Sequence, residues 1–553
     1  MGTIQSSLDI HHQSGDVVHG FRVVDVTPTP EVRAVAYRLE HERTGARLIH
    51  LHSEDPENLF SISFPTPPAD DTGLPHILEH AVLDGSQRYP VREPFFEMHK
   101  LSMATFINAM TYPDHTVYPI SSNVKKDLFN LAEVYFDAVF HPLLSEPTFR
   151  REGHHLAPTE AAGGNGTAGT NGAAAASGVD ARSGDQPDFK VTGVVYNEMK
   201  GAFSDPESRF YRAVSRVLLP DTVYAHESGG DPAVIPSLTY EQFSAFHATY
   251  YHPSNAYFMV YGDVALAEYC AFIDERLSGF DRRAVDASID RQKRWDAPRT
   301  MEEPYPVAVD EPIDEKTYLS LVWLAGDVTD PVDTALLHIL SLVLGGNEAA
   351  PLRKALVDSQ LGQDVTGLGS SAIGREGTFS VGLKGSEADR GPQFVDLVLS
   401  TLRSIADDGI DPELVETAFS QAAFSYREVQ PAFPRTMLFR IMSTWLYDAD
   451  PLTYLRIGAH LQTGRERWQQ RPEIFSALIR ERLLDNPHRL LAVMRPDRSL
   501  QVGIDRAEAE RARTATEGLD AAARVALIEQ AKEVESLGAT PNTPEQVAML
   551  PQL

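Results

Sequence analysis

Residues 71–90 read DTGLPHILEHAVLDGSQRYP, and the five letters HILEH within them carry the strongest signal in the chain. Pro75 favours the start of a helix, because a missing N–H costs nothing in the first helical turn. Residues four apart share a helix face, so His76 and His80 can each offer a ring nitrogen to one metal ion. Glu79 flanks the same face and is placed to act as a base.

The spacing H-x-x-E-H, the inverse of H-E-x-x-H, is typical of a catalytic zinc site. Such a site takes three protein ligands, keeps one position open and lowers the pKa of a water, while a neighbouring carboxylate moves protons. His76 and His80 are therefore candidate ligands, and Glu79 is the candidate general base and acid. The alternative is a helix that carries two surface histidines and a glutamate. Chance alone gives roughly 0.04 copies of the pattern in a chain of this length.

The motif supplies two ligands, so a third must come from elsewhere. Four nearby carboxylates are possible: Asp84, Glu93, Glu97 and Glu133. Glu198, in GVVYNEMKGAF, follows an apolar strand-like run at the start of a helix, which would point its carboxylate towards buried space. A solvated helix glutamate is the competing interpretation of that position.

The bulk composition indicates a globular chain with more than one domain. At 553 residues the chain is too long for one hydrophobic core. No apolar run approaches the roughly 20 residues that span a bilayer, and the first residues resemble neither a secretion signal nor a transit peptide. We therefore expect a soluble, untargeted protein of a bacterial-type cytoplasm, with an organelle matrix as the alternative.

Charge and cysteine content limit which classes of partner and which metal-binding residues are possible. The chain has 49 basic and 78 acidic residues, a net charge of −29. This balance argues against nucleic acid or membrane as a partner and suits a cationic substrate. The single cysteine, Cys270, excludes an intrachain disulfide and a cysteine-based zinc cluster. A metal must therefore be held by histidines and carboxylates.

The order of elements predicts an α+β fold. Alternating strand-like segments fill residues 17–63, and helical and strand-like patterns follow in turn. A Gly/Ala/Ser/Asn tract at residues 159–186 predicts a flexible loop, because it cannot bury enough apolar surface to offset its ordering entropy. A polar stretch at residues 282–300 indicates a linker. We place one domain at 1–285 and a second at 286–505.

The second domain carries an echo of the motif. HILSLVLGG, which begins at His338, matches the start of HILEHAVLDG but has Ser341 and Leu342 where the first copy has Glu79 and His80. With the matching order of elements, this indicates a duplicated domain that has lost the zinc motif.

Four stretches make the sequence resemble the presequence-protease branch of the pitrilysin-type (inverzincin) zinc metallopeptidases: TGLPHILEHAVLDGSQRYPVREPF, FINAMTYPDHTVYP, GVVYNEMKGAFSDPESRF and SGGDPAVIPSLTYEQFSAFHATYYHPSNAYFMVYGD. The resemblance runs in order from about Gly15 to the C-terminus. It implies two homologous domains, each a mainly antiparallel sheet packed with helices. It also implies one zinc ion per chain, held by His76, His80 and Glu198, with Glu79 as the general base.

The resemblance further implies cleavage of unstructured peptides, such as targeting peptides, inside a closed chamber. In this family the substrate is added as an extra strand to a sheet edge. FINAMT resembles the segment that provides this edge, so Asn108 and Ala109 are candidate substrate contacts. An ordinary core strand is the alternative interpretation.

Residues 506–553 resemble the helical hairpin that leads to the second half of the family's chamber, and that half is not part of this sequence. It would contribute an Arg and a Tyr that stabilise the tetrahedral intermediate, and losing such donors typically costs about 10²–10³ in rate. We expect zinc binding by this chain and full activity only with a complementary C-terminal-half chain. The alternative function is a non-catalytic zinc-binding or peptide-holding subunit of a heteromeric peptidase; the intact Glu79 favours the enzyme.

Overall fold

The computed structural model describes residues 10–159, 188–427 and 432–553. The loop predicted at residues 159–186 lies outside the described residues, apart from Thr159. The described part forms two large sheets covered by helices, so the predicted α+β class is confirmed. None of the helices in these ranges is both long enough and apolar enough to cross a bilayer.

The first sheet uses nine of the strands formed before residue 263. The strands in this part of the chain are Val17–Val18 (β1), Phe21–Thr29 (β2), Ala34–His41 (β3), Arg47–His52 (β4), Asn58–Pro65 (β5), Ala104–Ile107 (β6), Met110–Thr111 (β7), His115–Ser122 (β8), His155–Pro158 (β9), Phe189–Thr192 (β10) and Tyr257–Gly262 (β11). The order across the sheet is β1-β2-β3-β4-β11-β5-β8-β6, and β7 also pairs with β8. Only β4 and β11 run parallel; β9 and β10 form a separate antiparallel pair.

Helices of this part of the chain cover one face of the sheet, except α6, which packs on the second sheet. They are Leu74–Val82 (α1), Pro94–Leu101 (α2), Lys125–Phe140 (α3), Glu146–Glu152 (α4), Val194–Ser204 (α5), Pro206–Leu218 (α6), Tyr240–Tyr250 (α7) and Leu266–Leu277 (α8). Successive side chains of a strand point to opposite faces. On β5, therefore, Phe60, Ile62 and Phe64 join the core under these helices, whereas Leu59 joins a second core on the other face.

The second sheet follows a stretch without helix or strand, residues 280–298. Its strands are Arg299–Pro306 (β12), Thr317–Asp327 (β13), Asp364–Ile373 (β14), Glu376–Ser386 (β15) and Arg489–Asp497 (β16). The order is β12-β16-β13-β15-β14, and only β12 and β16 run parallel. The predicted domain boundary between residues 285 and 286 falls in the stretch before β12 and stays a prediction.

The helices of this second part include one that reaches back to the first sheet. They are Pro331–Gly345 (α9), Pro351–Ser359 (α10), Gly391–Asp408 (α11), Pro412–Arg427 (α12), Phe433–Trp445 (α13), Ile457–Gln470 (α14) and Ile474–Leu478 (α15). One face of α13, with Met437, Leu438 and Ile441, packs against the free face of the first sheet. Helix α13 thus joins the helices of the second part to the first sheet.

The two sheets repeat one pattern. The order β4-β11-β5-β8-β6 in the first corresponds to β12-β16-β13-β15-β14 in the second, with the single parallel pair at the same place. Helix α1 follows β5, and α9, which carries the HIL echo at His338, follows β13 in the same way. This agreement supports the duplication inferred from the sequence.

The chain ends in helices that pack on the first part. They are Leu500–Thr516 (α16), Ala521–Ala539 (α17) and Pro544–Val547 (α18). Beyond α17, Asn542 exchanges two hydrogen bonds of 2.9 Å with the backbone of Arg92, and Leu550 is buried in the first core. The helical segment begins at Leu500, six residues before the predicted hairpin at 506–553.

Candidate metal site and peptide-binding edge

Helix α1 starts where the sequence predicts and is pressed against a neighbouring loop. Gly73, which precedes it, has φ +70°, a conformation that L side chains rarely adopt. A Cβ on Gly73 would lie only 2.7 Å from the carbonyl oxygen of Gly229. Pro75 occupies the first turn, as predicted. The close approach sets the distance between α1 and the loop that contains Gly229.

Three donor groups converge on one point beside α1. The Nε2 atoms of His76 and His80 each lie 3.7 Å from a different carboxylate oxygen of Glu198, which is on α5. All the donor atoms lie within 4.8 Å of one another. Two ligands at 2.0–2.1 Å from a tetrahedral zinc ion stand about 3.4 Å apart, so the spacing fits one such ion.

The surroundings of Glu198 differ from those predicted from the sequence. Its side chain is 54% exposed, so the prediction that it points into buried space is wrong. The run GVVY before it is also helical rather than strand-like, because β10 ends at Thr192 and α5 begins at Val194. A carboxylate on an open face leaves space beside the donor group.

The other candidate third ligands are engaged elsewhere. Asp84 pairs with Arg151, Glu97 with Lys100, and Glu133 with Arg88 and Arg276. Glu93 lies 3.7 Å from Arg151. Across the described ranges, the group formed by His76, His80 and Glu198 is the one set of three or more such donors.

Backbone and side-chain acceptors orient both imidazoles. His76 Nδ1 lies 3.1 Å from the carbonyl oxygen of Gly229, and His80 Nδ1 lies 3.2 Å from a carboxylate oxygen of Glu152. A carbonyl only accepts, so His76 carries its proton on Nδ1 and leaves the Nε2 lone pair for a metal. The acceptor behind His80 favours the same tautomer. Partners of this kind are common behind metal-binding histidines.

Glu152 belongs to a buried charge network that sequence reasoning missed. Arg151 donates to its second oxygen at 2.8 Å and also pairs with Asp84 at 2.6 Å. Burial raises the pKa of Glu152, but the hydrogen bond with His80 and the charge of Arg151 outweigh this and lower it. Burial lowers the pKa of His80, and its bond with Glu152 and the nearby carboxylates reverse that effect. Glu152 is thus an ionised acceptor for His80.

Glu79 lies buried beside the donor group. Its Oε2 accepts a 2.6 Å hydrogen bond from the hydroxyl of Thr111, on β7. Its charge also adds to burial in raising the pKa of Tyr135 well above the usual value. The hydroxyl of Thr111 fixes the carboxylate in place.

Asn108 and Ala109 lie on a sheet edge, between β6 and β7. Strand β6 ends the first sheet, and within the described chain it pairs only with β8, so the core-strand alternative is wrong. The N–H of Asn108 donates to the carbonyl of Pro119 at 3.3 Å, and its carbonyl accepts from Tyr135 at 3.3 Å. Ala109 lies outside both strands, and its backbone forms no hydrogen bond with the described residues. Substrate contact at both residues stays a prediction.

Comparison with known families identifies the class of protein. Residues 67–160 match the family described as insulinase (peptidase family M16), and residues 237–422 match the peptidase M16 inactive domain. The chain belongs to the M16, or pitrilysin-like, family of peptidases.

Two curated relatives show the extent of the sequence similarity. The chain is 36% identical over 550 residues to the mitochondrial presequence protease of Xenopus laevis, covering 98% of this chain and 51% of that protein. It is 34% identical over 550 residues to protein HypA of Clostridium perfringens, covering 98% and 54%. The chain thus spans about half the length of these curated relatives.

Solved structures share the fold. The first half of the periplasmic protease PqqL from Escherichia coli superposes with a TM-score of 0.58 at 18% identity, over 88% of this chain and 95% of that chain. A peptidase M16 inactive domain from Pseudomonas fluorescens gives 0.61 at 17% identity, over 84% and 98%. Pitrilysin gives 0.54 at 14% identity, over 90% of this chain and 48% of its own.

Proposed function

We propose that this chain is the zinc-binding, catalytic part of a metalloendopeptidase that cleaves unstructured peptides. The observation that supports it is the meeting of His76, His80 and Glu198 within 4.8 Å, with the buried Glu79 beside them. Membership of a peptidase family, and similarity to proteins named presequence protease, support the same reaction.

His76, His80 and Glu198 would hold one zinc ion. When bound, zinc supplies a Lewis acid that polarises the scissile carbonyl and makes water more acidic. Both histidines present Nε2 to the site because their Nδ1 atoms face acceptors. Two neutral nitrogens and one carboxylate are a ligand set that catalytic zinc sites use.

Glu79 would carry the protons. Held by Thr111, its carboxylate would take a proton from the attacking water and deliver one to the leaving amine nitrogen. An ionised Glu152 would keep His80 oriented as charge shifts during the reaction. These assignments use only side chains that already surround the donor group.

The substrate would be an extended, basic peptide. An unpaired edge at β6 can accept a peptide strand, with the backbone of Ala109, which bonds to no described residue, as the pairing partner. Such pairing requires an unfolded backbone, and the net charge of −29 favours basic sequences, as in targeting peptides. We propose that a complementary C-terminal half closes the chamber over this edge. The proposed compartment is a bacterial-type cytoplasm, with an organelle matrix as the alternative.

Replacing Glu79 with Gln tests the proposal. The wild-type chain with one equivalent of zinc should cleave a fluorogenic basic peptide, more strongly when a second-half chain is added. Glu79→Gln should still bind one zinc but lose at least about 10²-fold in kcat, the lower range for a positioned acid–base group. Glu146→Gln, on the exposed surface of α4, is the matched control and should keep full activity.

Two results would speak against the enzyme. Zinc binding without cleavage, even with the second-half chain, would favour the non-catalytic subunit. Glu198→Ala with unchanged zinc affinity would remove the proposed third ligand. Zinc content by atomic absorption and peptide cleavage by mass spectrometry read the two outcomes separately.

A further inference from the structure

A cavity of about 520 Å³ lies in the second part of the chain. Its walls come from α9, the β14–β15 turn, α13 and α14. They are mainly apolar and include Val328, Leu337, Phe439, Ile457 and Leu461. The volume falls within the range of about 300–1,000 Å³ that small-molecule sites occupy.

The cavity occupies the place in the second sheet that corresponds to the candidate metal site in the first. Helix α9 and strands β14 and β15 are the counterparts of α1, β6 and β8 in the repeated strand order. His338, which opens the HIL echo, lines the cavity. Ser341 and Leu342 replace the glutamate and the second histidine there, so the counterpart has space but no ligand set for a metal.

Arg440 brings to this cavity a positive charge that forms no direct ion pair within the described ranges. Its guanidinium carbon lies 5.9 Å from the ring centre of Tyr426, and none of the ion pairs formed by the described residues involves it. Glu31, whose charge reaches Arg440, bonds to the backbone N–H groups of Gly458 and Ala459 at the start of α14 and not to the guanidinium. Burial lowers the pKa of Arg440, so part of its hydration is lost.

His338 adds an unused polar group near the same ring. Its imidazole lies 5.9 Å from the ring of Tyr426, and no hydrogen bond to its nitrogens is formed by the described residues. Burial lowers its pKa, so it is neutral and carries one N–H donor. His460, by contrast, already uses Nε2 on the carbonyl of Thr453 at 2.9 Å. Arg440 and His338 are therefore two groups of the lining whose side-chain donors are available to a ligand's acceptor.

We propose that this cavity binds a small apolar molecule that ends in one carboxylate. The guanidinium of Arg440 would pair with the carboxylate, the N–H of His338 would add a hydrogen bond, and the aliphatic part would lie against the apolar walls. A partly desolvated guanidinium gains most from a carboxylate, which its planar fork binds through two hydrogen bonds. The site needs neither zinc nor Glu79 and so stands apart from the proposed peptidase activity.

Calorimetric titration of the full chain with octanoate, nonanoate and decanoate tests the site. We expect one molecule per chain and an affinity that rises about fourfold with each added methylene, the increment for burying one CH₂ group. Decanol should bind at least about tenfold more weakly than decanoate, since it lacks the charged acceptor. The Glu79→Gln variant should give the same titration as the wild type.

Two variants distinguish the contribution of the Arg440 charge from that of the free cavity volume. Arg440→Leu should weaken decanoate by about tenfold or more and leave decanol unchanged. Ala335→Phe, which adds a ring to the cavity wall, should abolish both while Arg440 is kept. Melting temperatures check that each variant folds, and Arg440→Lys, which keeps the charge, should retain partial binding.

Several outcomes would overturn the proposal. One is a dissociation constant for decanoate above about 1 mM, because so weak an affinity would not indicate a preformed site. Another is binding that neither Arg440→Leu nor Ala335→Phe changes. A leucine-terminated hexapeptide that binds through its free carboxylate, while decanoate does not, would assign the cavity to peptide ends instead.

Discussion

Glu152 stands behind His80 and acts on the candidate metal site without being one of its three donors. We predict that Glu152→Ala lowers zinc affinity by about 10–100-fold, the usual effect of removing a group that orients a metal-binding histidine. The reason is that His80 Nδ1 loses its acceptor and the ring is free to rotate. Competition with a fluorescent zinc chelator measures the change.

Controls for this prediction come from the same helix. Glu152→Gln keeps an acceptor oxygen and should recover part of the affinity, whereas Glu146→Gln on the exposed side of α4 should have no effect. Equal zinc affinity in Glu152→Ala and wild type would show that His80 needs no orienting partner.

Local spacing explains which site residues the sequence could reveal. His76, Glu79 and His80 lie within one helical turn, so a helix alone brings them together. Glu198 was assigned only through the family resemblance, since more than a hundred residues separate it from the motif. Glu152 was missed because its contact with His80 exists only once α4 has packed beside α1, and no spacing rule links the two.

At the scale of elements, the entry into α1 is the most constrained backbone. We predict that Gly73→Ala destabilises the protein by about 1–3 kcal/mol, because alanine adopts a left-handed conformation at a cost and its Cβ meets the backbone of Gly229. The helix or the loop must shift, so zinc affinity should fall as well. Chemical denaturation and the zinc competition assay measure the two effects.

Gly503, where an added Cβ would meet no other atom, provides the control for Gly73. A Cβ on Gly503, in α16, meets no atom within 4 Å. Gly503→Ala should therefore leave zinc affinity unchanged and raise stability by up to about 1 kcal/mol, through helix propensity. A similar loss in both variants would mean that the close approach at Gly73 is not the cause.

The open edge at β6 gives a prediction about substrate. Ala109→Pro removes a backbone N–H that we propose pairs with the peptide. It should lower kcat/KM for an extended peptide by at least about tenfold, the worth of one or two lost hydrogen bonds, and leave zinc content unchanged. Ala109→Val keeps the N–H and is the control. Equal kcat/KM in the two variants would place substrate pairing elsewhere.

Elements with one dominant signal were predictable, and ambiguous ones were not. Pro75 located the start of α1 to within a residue. The run GVVY could be strand or helix, as short apolar runs often can. Its Gly193 lies between β10 and α5, where a Cβ would come within 2.1 Å of the carbonyl oxygen of Gly153. FINAMT was correctly expected at an edge, although it divides into β6 and β7 at Asn108 and Ala109.

Across the whole molecule, one buried carboxylate ties the two sheets together. Asp114, before β8, accepts hydrogen bonds of 2.7 Å from the hydroxyls of Tyr224 and Tyr447, and lies 2.6 Å from Nδ1 of His115. Tyr447 follows α13, so the contact joins the first sheet to the helix layer of the second. Burial raises the pKa of Asp114, but the bonds from His115 and the tyrosines outweigh it and lower the pKa.

This tie predicts a pH-dependent loss of stability in Asp114→Asn. The folded-state pKa lies below the unfolded value of about 3.9, so the ionised group stabilises the fold above that value and ceases to do so as pH falls through the folded pKa. The variant should lose about 1.5–3 kcal/mol at pH 7, and the difference should shrink towards pH 3. Urea denaturation at several pH values measures it. Asp310→Asn, on an exposed loop, should show no difference, and a constant gap across pH would rule out the charge as the cause.

The repeated architecture could be anticipated, but the contact between the copies could not. The HIL echo at His338 and the matching order of elements indicated two related units. The packing of α13 across to the first sheet depends on which of its faces meets which core. Met437, Leu438 and Ile441 mark an apolar face of that helix, but the residue order does not say which sheet this face meets.

The central position of β11 bears on how the protein is made. This strand sits between β4 and β5, yet about 190 residues separate it from β5, which at about 5–20 residues per second takes about 10–40 s to synthesise. Until then the β1–β4 and β5–β8 portions of the sheet each present an unpaired inner edge, the kind of surface that invites aggregation. The nascent chain therefore passes through a long interval in which a chaperone has two strand edges to protect, and the arrival of Tyr257–Gly262 ends it.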